Sequence, residues 1–334
     1  MEAKIAEVLP AGEGWQYEPK WDGFRCLAFR DGNAVELRGK SGKSLTRYFP
    51  DVVQILVALR ARRFVLDGEL AIPLGNALSF EALQLRLHPA ESRIRKLAKE
   101  TPAIFICFDI LLDPGNRSLI RAPLHKRRAV LEKLFARWHE ARGIFLSPCT
   151  HSHGVARKWL SRAGTALDGV VAKRSGEPYQ PGERAMLKIK RLRTADCVVG
   201  GFRFAEKSRE VGSLLLGLYD AEGRLDHVGF TSGFANIDRA KLTARLLRLR
   251  KPPGFTGRAP GGPSRWSTER SGEWEPLTPK LVAEVRYDHV SGDRFRHGTK
   301  FLRWRPDKNP RDCTMDQLMA EEPPAALIRD IVNP

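Results

Sequence analysis

At 334 residues the chain is too long for one comfortable hydrophobic core and suits two domains. Its 57 Lys and Arg against 39 Asp and Glu give a formal charge of +18, a self-repulsion best tolerated beside a polyanion, nucleic acid before an acidic membrane surface. No run approaches the ~20 apolar residues of a membrane span, no secretory signal core opens the chain, and five scattered cysteines without a CxxC pair argue against a disulfide framework or a zinc ribbon. A cytoplasmic, nucleoid-associated protein with no membrane partner is expected.

From Trp15 to about Lys190, strand-like runs alternate with amphipathic helices. Ala34 to Leu37 and Phe64 to Leu70 read as strands. Between them Val52, Ile55, Leu56 and Leu59 recur at helical spacing behind Pro50, which suits a first helical turn. AIFICFDIL, from Ala103 to Leu111, is a long buried strand by its β-branched and aromatic content. A helix with Leu124, Leu131, Leu134, Phe135 and Trp138 on one face follows. Then come GIFLSPC, a short helix ending near Gly164, and the strands GVVAK and MLKIK.

After Arg193 the texture changes. DCVVGGFRF, SLLLGLY, LDHVGFTSGF and LVAEVRYDHV read as strands, with one helix near Ala240 to Leu249, an inventory that fits a small β-barrel such as the OB-fold. Lys241 to Arg265 holds seven basic residues and no acid. It reads equally as a solvated loop and as a phosphate-contacting arm.

The chemistry lies in short charged segments. EPKWDGFR (Glu18 to Arg25), a lysine just before an Asp-Gly turn, would alone be an ordinary surface turn. Downstream, in order, lie LDGEL (Leu66 to Leu70), CFDIL (Cys107 to Leu111), DGVVAK (Asp168 to Lys173), LKIK (Leu187 to Lys190) and RWRPDK (Arg303 to Lys308). Six such segments in a fixed order are far more specific than any one of them.

This set resembles the six motifs of the covalent nucleotidyltransferase superfamily, which contains ATP-dependent DNA ligases, RNA ligases and mRNA capping enzymes. Within it the chain is similar to the small bacterial ligase C group and to the ligase module of the larger bacterial end-joining ligase. YEPKWDGFR, RYFPD, DGVVAKR, DCVVGG and FLRWRPDK carry that likeness. The resemblance implies an α+β fold: an N-terminal adenylyltransferase domain of ATP-grasp-like nucleotidyltransferase type (1–193) and a C-terminal OB-fold β-barrel (194–334). It implies ATP-dependent sealing of nicks in duplex DNA through a Lys20–AMP intermediate, with Mg²⁺ or Mn²⁺. The rival readings are an RNA ligase or capping-type enzyme, and a DNA-end-binding module with a vestigial nucleotide pocket.

The resemblance also assigns roles. Lys20 would attack the α-phosphorus of ATP. A free lysine has a pKa of ~10.4, so neighbouring cations or desolvation must favour the neutral amine. Lys188 and Lys190, two apart on a strand, share a face from which they would hold the α-phosphate. Glu18 would read the adenine amino group and Phe108 would stack on the base. Arg25 and Glu69 would hold ribose and phosphate, and Glu69 would also influence a metal. Asp168, where the family usually has Glu, would sit near the divalent ion, and Lys173 would be an auxiliary phosphate contact. Arg303, Arg305, Asp307 and Lys308 would swing over the site to orient the pyrophosphate, about a hinge near Arg193 to Asp196 with Asp196 as the hinge residue.

One departure concerns DNA. The family usually shows Ser-Arg-x-Gly where this chain has Arg38-Gly39-Lys40-Ser41-Gly42-Lys43, so Lys40 replaces an arginine, keeping charge but losing bidentate phosphate recognition. Arg38, Lys40 and Lys43 are the expected DNA contacts. With nineteen residues before Lys20, no separate clamping domain is expected there. A monomer is expected to hold the nicked duplex through its basic barrel and loops, or with help from a partner, in repair beside a gap-filling polymerase. His151 and His153 read as a surface loop rather than a metal pair, Trp138 and Trp159 as core, and Trp304 as inward-facing.

Overall fold

The computed structural model describes residues 1–75, 77–138, 141–161, 167–234, 237–261 and 273–318. They form two compact units that part between Arg191 and Leu192. Among the described residues, no helix is long and apolar enough to cross a membrane.

In the first unit β1 (Ala3–Ile5) and β2 (Trp15–Trp21) precede the hairpin of β3 (Phe24–Asp31) and β4 (Ala34–Gly39). The Asp22-Gly23 pair turns β2 into β3. Any Cβ at Gly23 would lie 2.2 Å from the Leu70 carbonyl oxygen, so only glycine lets the turn press onto the neighbouring strand. Helix α1 (Pro50–Ala58) starts on Pro50 and buries Val52 and Leu56. It leads into β5 (Arg63–Ala71), the small hairpin β6 (Pro73–Leu74) and β7 (Ala77–Leu78), and helices α2 (Phe80–Leu85) and α3 (Glu91–Glu100). Then follow β8 (Ile104–Leu112), α4 (Leu124–Ala136), β9 (Ile144–Leu146), α5 (His153–Ser161), β10 (Leu167–Arg174) and β11 (Met186–Ile189).

Two sheets result, in the orders β1-β11-β10-β2 and β4-β3-β5-β8-β9. Side chains alternate between the faces of a strand. One face of the five-stranded sheet, with Cys26, Ala28, Leu66, Leu70 and Cys107, packs on Val52 and Leu56 of α1 and Leu131 and Leu134 of α4. One face of the four-stranded sheet, with Tyr17, Val170, Ala172 and Ile189, packs on Ala156 of α5 beside the half-buried Trp159. The alternate positions of both sheets hold the charged motif residues. Trp138 lies two residues past the end of α4, yet it is buried with its ring 5.6 Å from that of Phe64. Gly164, near which the α5 helix was expected to end, lies outside the described residues.

The second unit contains β12 (Arg193–Phe204), β13 (Val211–Tyr219), β14 (Leu225–Thr231), α6 (Arg239–Leu247), β15 (Glu275–Pro276) and β16 (Val282–Tyr287). The hairpin β17 (Val290–Ser291) and β18 (Arg294–Phe295), and then β19 (Lys300–Trp304), complete it. Its main sheet runs β14-β13-β12-β16-β19 with antiparallel neighbours, and β15 pairs with β12. The two ends of this path meet at a Thr231–Thr299 bridge, where the Thr299 N–H donates to Phe230 O at 3.0 Å. Inside lie Val198, Phe202, Leu214, Leu216, Leu218 and Val285, closed by Leu242 and Leu246 of α6. Trp304 is half-buried against Phe301, 5.1 Å between centroids, with the Arg245 guanidinium also 5.1 Å from its ring. The basic stretch expected as loop or arm begins inside α6, and its residues 262–265 lie outside the described residues.

Asp196 differs from expectation. It sits within β12, opposite Glu284, and its carboxylate accepts from Arg305 Nη1 at 3.0 Å. Its N–H donates to Gln317 Oε1 at 2.9 Å. A residue held by a strand ladder and an ion pair is poorly placed to absorb the φ/ψ change of a hinge.

Candidate active site

Strand register assembles the site. β2 and β10 pair antiparallel with Lys20 opposite Gly169, Glu18 opposite Val171 and Gln16 opposite Lys173, while β10 and β11 set Val171 opposite Lys188. Residues directly opposed share a face, as do residues two apart. Gln16, Glu18, Lys20, Val171, Lys173 and Lys188 therefore emerge on one side of one sheet. Trp21, buried on the other parity, pins β2 by donating from Nε1 to Ser147 Oγ at 2.9 Å.

An irregularity between Leu167 and Gly169 swings Asp168 toward Lys20. Gly169 has φ +141°, and a Cβ there would stand 2.0 Å from the Ile189 carbonyl oxygen, so glycine is required for β11 to approach. Asp168 Oδ2 lies 2.6 Å from Lys20 Nζ and 3.2 Å from Lys190 Nζ. Burial alone would raise the Asp168 carboxyl; Lys20 and Lys190 outweigh it and hold the group below its ordinary value. Burial first, then the charges of Lys20, Lys190 and Lys40, pulls the Lys188 ammonium below its ordinary value.

The five-stranded sheet supplies the rest. Arg25 on β3 is opposite Glu69 on β5. Between β5 and β8 the ladder pairs Asp67 with Asp109 and Gly68 with Cys107, so Phe108 is the extra residue of a bulge, re-aimed out of strict alternation. A cleft of roughly 230 Å³ is lined by Glu18, Lys20, Arg25, Glu69, Phe108, Lys173 and Lys188, with Lys40 and Glu2 also on its wall.

The cleft has two chemically distinct ends. One carries Lys20 and Lys188, with Asp168 and Lys190 ion-paired beside Lys20. At the other the buried Glu18 carboxylate accepts from Lys173 Nζ at 2.6 Å and from Gln16 Nε2 at 2.7 Å, and Lys173 Nζ stands 4.6 Å from the Phe108 ring centroid. Lys173, expected as an auxiliary phosphate contact, is paired with Glu18, the residue expected to meet the base.

Arg25 does not extend freely either. Asp67 accepts from its Nε at 3.0 Å and from Nη2 at 2.6 Å, and Tyr179 Oη donates to the same carboxylate at 2.8 Å. Arg25 Nη1 also donates to Met1 O, and its guanidinium lies 5.8 Å from the Phe108 ring. Burial works against the Arg25 charge, but Asp67 more than offsets it.

A profile of the "ATP dependent DNA ligase domain" matches residues 2–190, and one of the "ATP dependent DNA ligase C terminal region" matches residues 207–308. DNA ligase C1 of Mycolicibacterium smegmatis is 44% identical over 95% of this chain and 92% of its own length. DNA ligase C of Mycobacterium tuberculosis is 42% identical over 99% of this chain and 96% of its own. The chain belongs to the ATP-dependent DNA ligases. A solved structure from work on Lig E DNA ligases, 16% identical, covers 91% of this chain and 99% of its own with a TM-score of 0.55, a likeness of fold alone.

The DNA-contact candidates of this ligase are arranged unequally. Arg38 is exposed, donates to Glu36 at 2.8 Å and lies 5.5 Å from the Phe29 ring. Lys40 reaches back to the cleft wall, 3.3 Å from Glu2, and Lys43 is exposed in the turn after β4. Arg303, Arg305, Asp307 and Lys308 belong to the second unit. There Arg303 pairs with Glu284 at 2.6 Å, and Arg305 with Asp307 at 2.8 Å as well as with Asp196. His151 is exposed, its Nδ1 2.9 Å from Trp15 O, and His153 stands edge-on to Tyr17.

For a divalent metal the ligase offers Glu69 and Asp168, and among the described residues no group of three or more His, Cys, Asp or Glu side chains converges. The donor set fits a hard cation that takes most of its oxygens from phosphate and water. Glu69 is half-buried on the cleft wall, and burial lifts its carboxyl to about 8 despite the opposing pull of Lys20 and Arg25. A cation would relieve that strain.

The sign of the Glu69 effect is testable. A folded-state value raised above the ordinary 4.5 means that between pH 4.5 and about 8 the folded chain keeps a proton the unfolded chain has released. Folding is then penalised progressively as pH rises through that window. In EDTA above pH 8, Glu69→Gln is expected to stabilise the fold by about 2 kcal/mol, seen as a higher thermal midpoint, while nick sealing falls. An unchanged pH dependence of the midpoint in the mutant would contradict this.

Gln16, Asp67 and Tyr179 are site residues the motif reading did not assign. Gln16 was recoverable, being two residues before Glu18 on a strand parity that continues to Lys20. Asp67 lay within a quoted motif without a role. Tyr179 carries no local signal.

Proposed function

We propose that this ligase carries AMP on Lys20 Nζ and seals nicks in duplex DNA. Lys20 attacks the α-phosphorus of ATP and pyrophosphate leaves. AMP then passes to the 5′-phosphate at a nick, and the 3′-hydroxyl attacks that phosphate and releases AMP. The observation that carries this reading is the shared strand face on which Lys20, Lys188 and Glu18 emerge, with Asp168 bridging Lys20 and Lys190. Clustered ammonium groups neutralise charge developing on a transferring phosphoryl group without reorganising. Phe108 provides the face for the base and Glu18 an acceptor for its amino group, while Arg25, fixed by Asp67, faces the sugar and phosphates.

Glu69 and Asp168 would hold Mg²⁺ or Mn²⁺, which would supply charge neutralisation of the phosphates. Arg303, Arg305, Asp307 and Lys308 keep the role their resemblance implies, orientation of the leaving pyrophosphate. The antiparallel sheet whose ends meet at Thr231 and Thr299 supports an OB-fold for the second unit. The net charge of +18 supports a monomer gripping the duplex through basic surfaces, with Arg38, Lys40 and Lys43 near the nick. Repair beside a gap-filling polymerase is the setting we infer, since the chain also covers 90% of itself in a 31% identical match to a multifunctional non-homologous end joining protein of Mycolicibacterium smegmatis.

The test is covalent labelling with ATP radioactive at the α-phosphate, followed by a chase with nicked DNA or nicked RNA. Label acquired and then discharged by nicked DNA is expected. Label that only nicked RNA discharges, or that GTP supplies better than ATP, would replace the reading with one of the related enzymes.

A further inference from the structure

We propose that Arg294, in the second unit, contacts a phosphodiester of duplex DNA and is aimed there by the neutral imidazole of His227. The inference rests on the DNA-sealing reading above and adds a residue that no motif assigns.

His227 is a buried residue of β14, 4% exposed, and β18 packs beside that strand and brings Arg294 onto it. Arg294 Nη2 lies 2.9 Å from His227 Nδ1. A guanidinium has five N–H donors and no acceptor, so Nδ1 must be the bare nitrogen and the ring proton must sit on Nε2. The imidazole is therefore neutral. Burial first, then the charges of Arg294, Arg203 and Arg258, pushes its pKa down to about 3, so it stays neutral at any physiological pH.

Other arginines of this unit meet carboxylates instead. Arg224 pairs with Asp220, Arg250 with Glu275, Arg303 with Glu284 and Arg305 with Asp196. Arg258 takes both Asp226 and Asp293. Among the described residues Arg294 has no carboxylate partner, and it is half-buried. Burial, followed by the like charge of Arg258, holds it below its ordinary value. A neutral acceptor thus fixes the guanidinium without cancelling its charge, and one N–H spent on His227 leaves four to donate. Such a cation is unfavourable alone and becomes favourable when an anion arrives. Its planar fork matches a phosphate, and the net charge of +18 puts a polyanion first. The pair would also form if it merely braced the hairpin, so the test must separate charge from packing.

The full chain is bound to a nicked duplex in EDTA over a range of salt concentrations. Each phosphate neutralised contributes about 0.9 to the slope of log affinity against log salt. Arg294→Met is expected to lower that slope by about one and the affinity by about tenfold. Arg224→Met, which removes a charge already paired, should leave the slope unchanged. His227→Asn keeps a neutral acceptor and should keep the wild-type slope. His227→Asp has the same size but cancels the guanidinium charge, and should lose as much slope as Arg294→Met. Melting curves confirm that each variant is folded. Equal slopes in the Asn and Asp variants would overturn the proposal, leaving a brace. If neither variant at 227 folds, Arg294→Met against Arg224→Met decides the matter, and equal slopes there would overturn it. A wild-type chain that binds no nicked duplex would instead remove the DNA reading beneath it.

Discussion

Lys20→Ala is expected to take up no AMP covalently and to seal ordinary nicks at least ~10⁴-fold more slowly than the wild type. The loss is this large because Lys20 is the proposed nucleophile, and the neighbouring amines are placed differently: Lys190 lies 3.2 Å from Asp168, and Lys188 emerges from the next strand but one. The same variant should still close a nick already bearing AMP on its 5′-phosphate, within roughly tenfold of wild type, since no bond to Lys20 forms or breaks there. Folding should hardly change. Lys20 is 25% exposed, and a partly exposed ion pair contributes at most about 1 kcal/mol. Gel-based labelling, a sealing assay on both substrates and a melting curve check the three statements together. Label persisting in the mutant would place the nucleophile elsewhere. A collapse on the adenylylated nick would show that Lys20 also serves the final step.

Elements with regular apolar periodicity were legible in the chain: the helix behind Pro50, the strand around Phe105, and the strands and single helix after Arg193. The bounds of β2 and β3 were not legible, because Glu18, Lys20 and Arg25 give them a polar, turn-like text. That polarity belongs to the cleft, which Glu18, Lys20 and Arg25 line, while Tyr17 and Cys26 are buried on the other parity. The helix α3 was missed because seven of the ten residues of ESRIRKLAKE are polar and only Ile94 is buried.

Motif order singled out Lys20, Lys188 and Phe108, which the fold brings to one cleft, and Asp168, which pairs with Lys20. It gave no sign of the pairing of Lys173 with a partner 155 residues away, or of the strand pairing of Asp196, which depends on β16. Sequence spacing predicts facing within an element well and pairing across elements poorly, since register is set by bulges such as those beside Gly169 and Phe108.

Asp67 offers the second large effect and a way to separate folding from function. It is wholly buried and accepts three hydrogen bonds, two from Arg25 and one from Tyr179. Asp67→Asn keeps the volume but leaves the mostly buried Arg25 cation facing a neutral amide. Breaking a buried pair from one side typically costs 3–5 kcal/mol. With Arg25 still 22% exposed, the lower end, about 3 kcal/mol, is expected. For a unit of this size that lowers the thermal midpoint by roughly 6–12 °C.

Asp109 supplies the control. Its pair with Arg127, 2.8 Å apart, is as deeply buried but lies off the cleft wall. Asp109→Asn should therefore lower the midpoint comparably and leave the KM for ATP near wild type at a temperature where both variants are folded. Asp67→Asn should raise that KM about tenfold or more, because it releases the guanidinium that faces the nucleotide. Equal KM values in the two variants would reduce the Asp67–Arg25–Tyr179 network to a structural brace. Divergent values with matched melting curves would establish that the same buried carboxylate holds the sheets and aims Arg25.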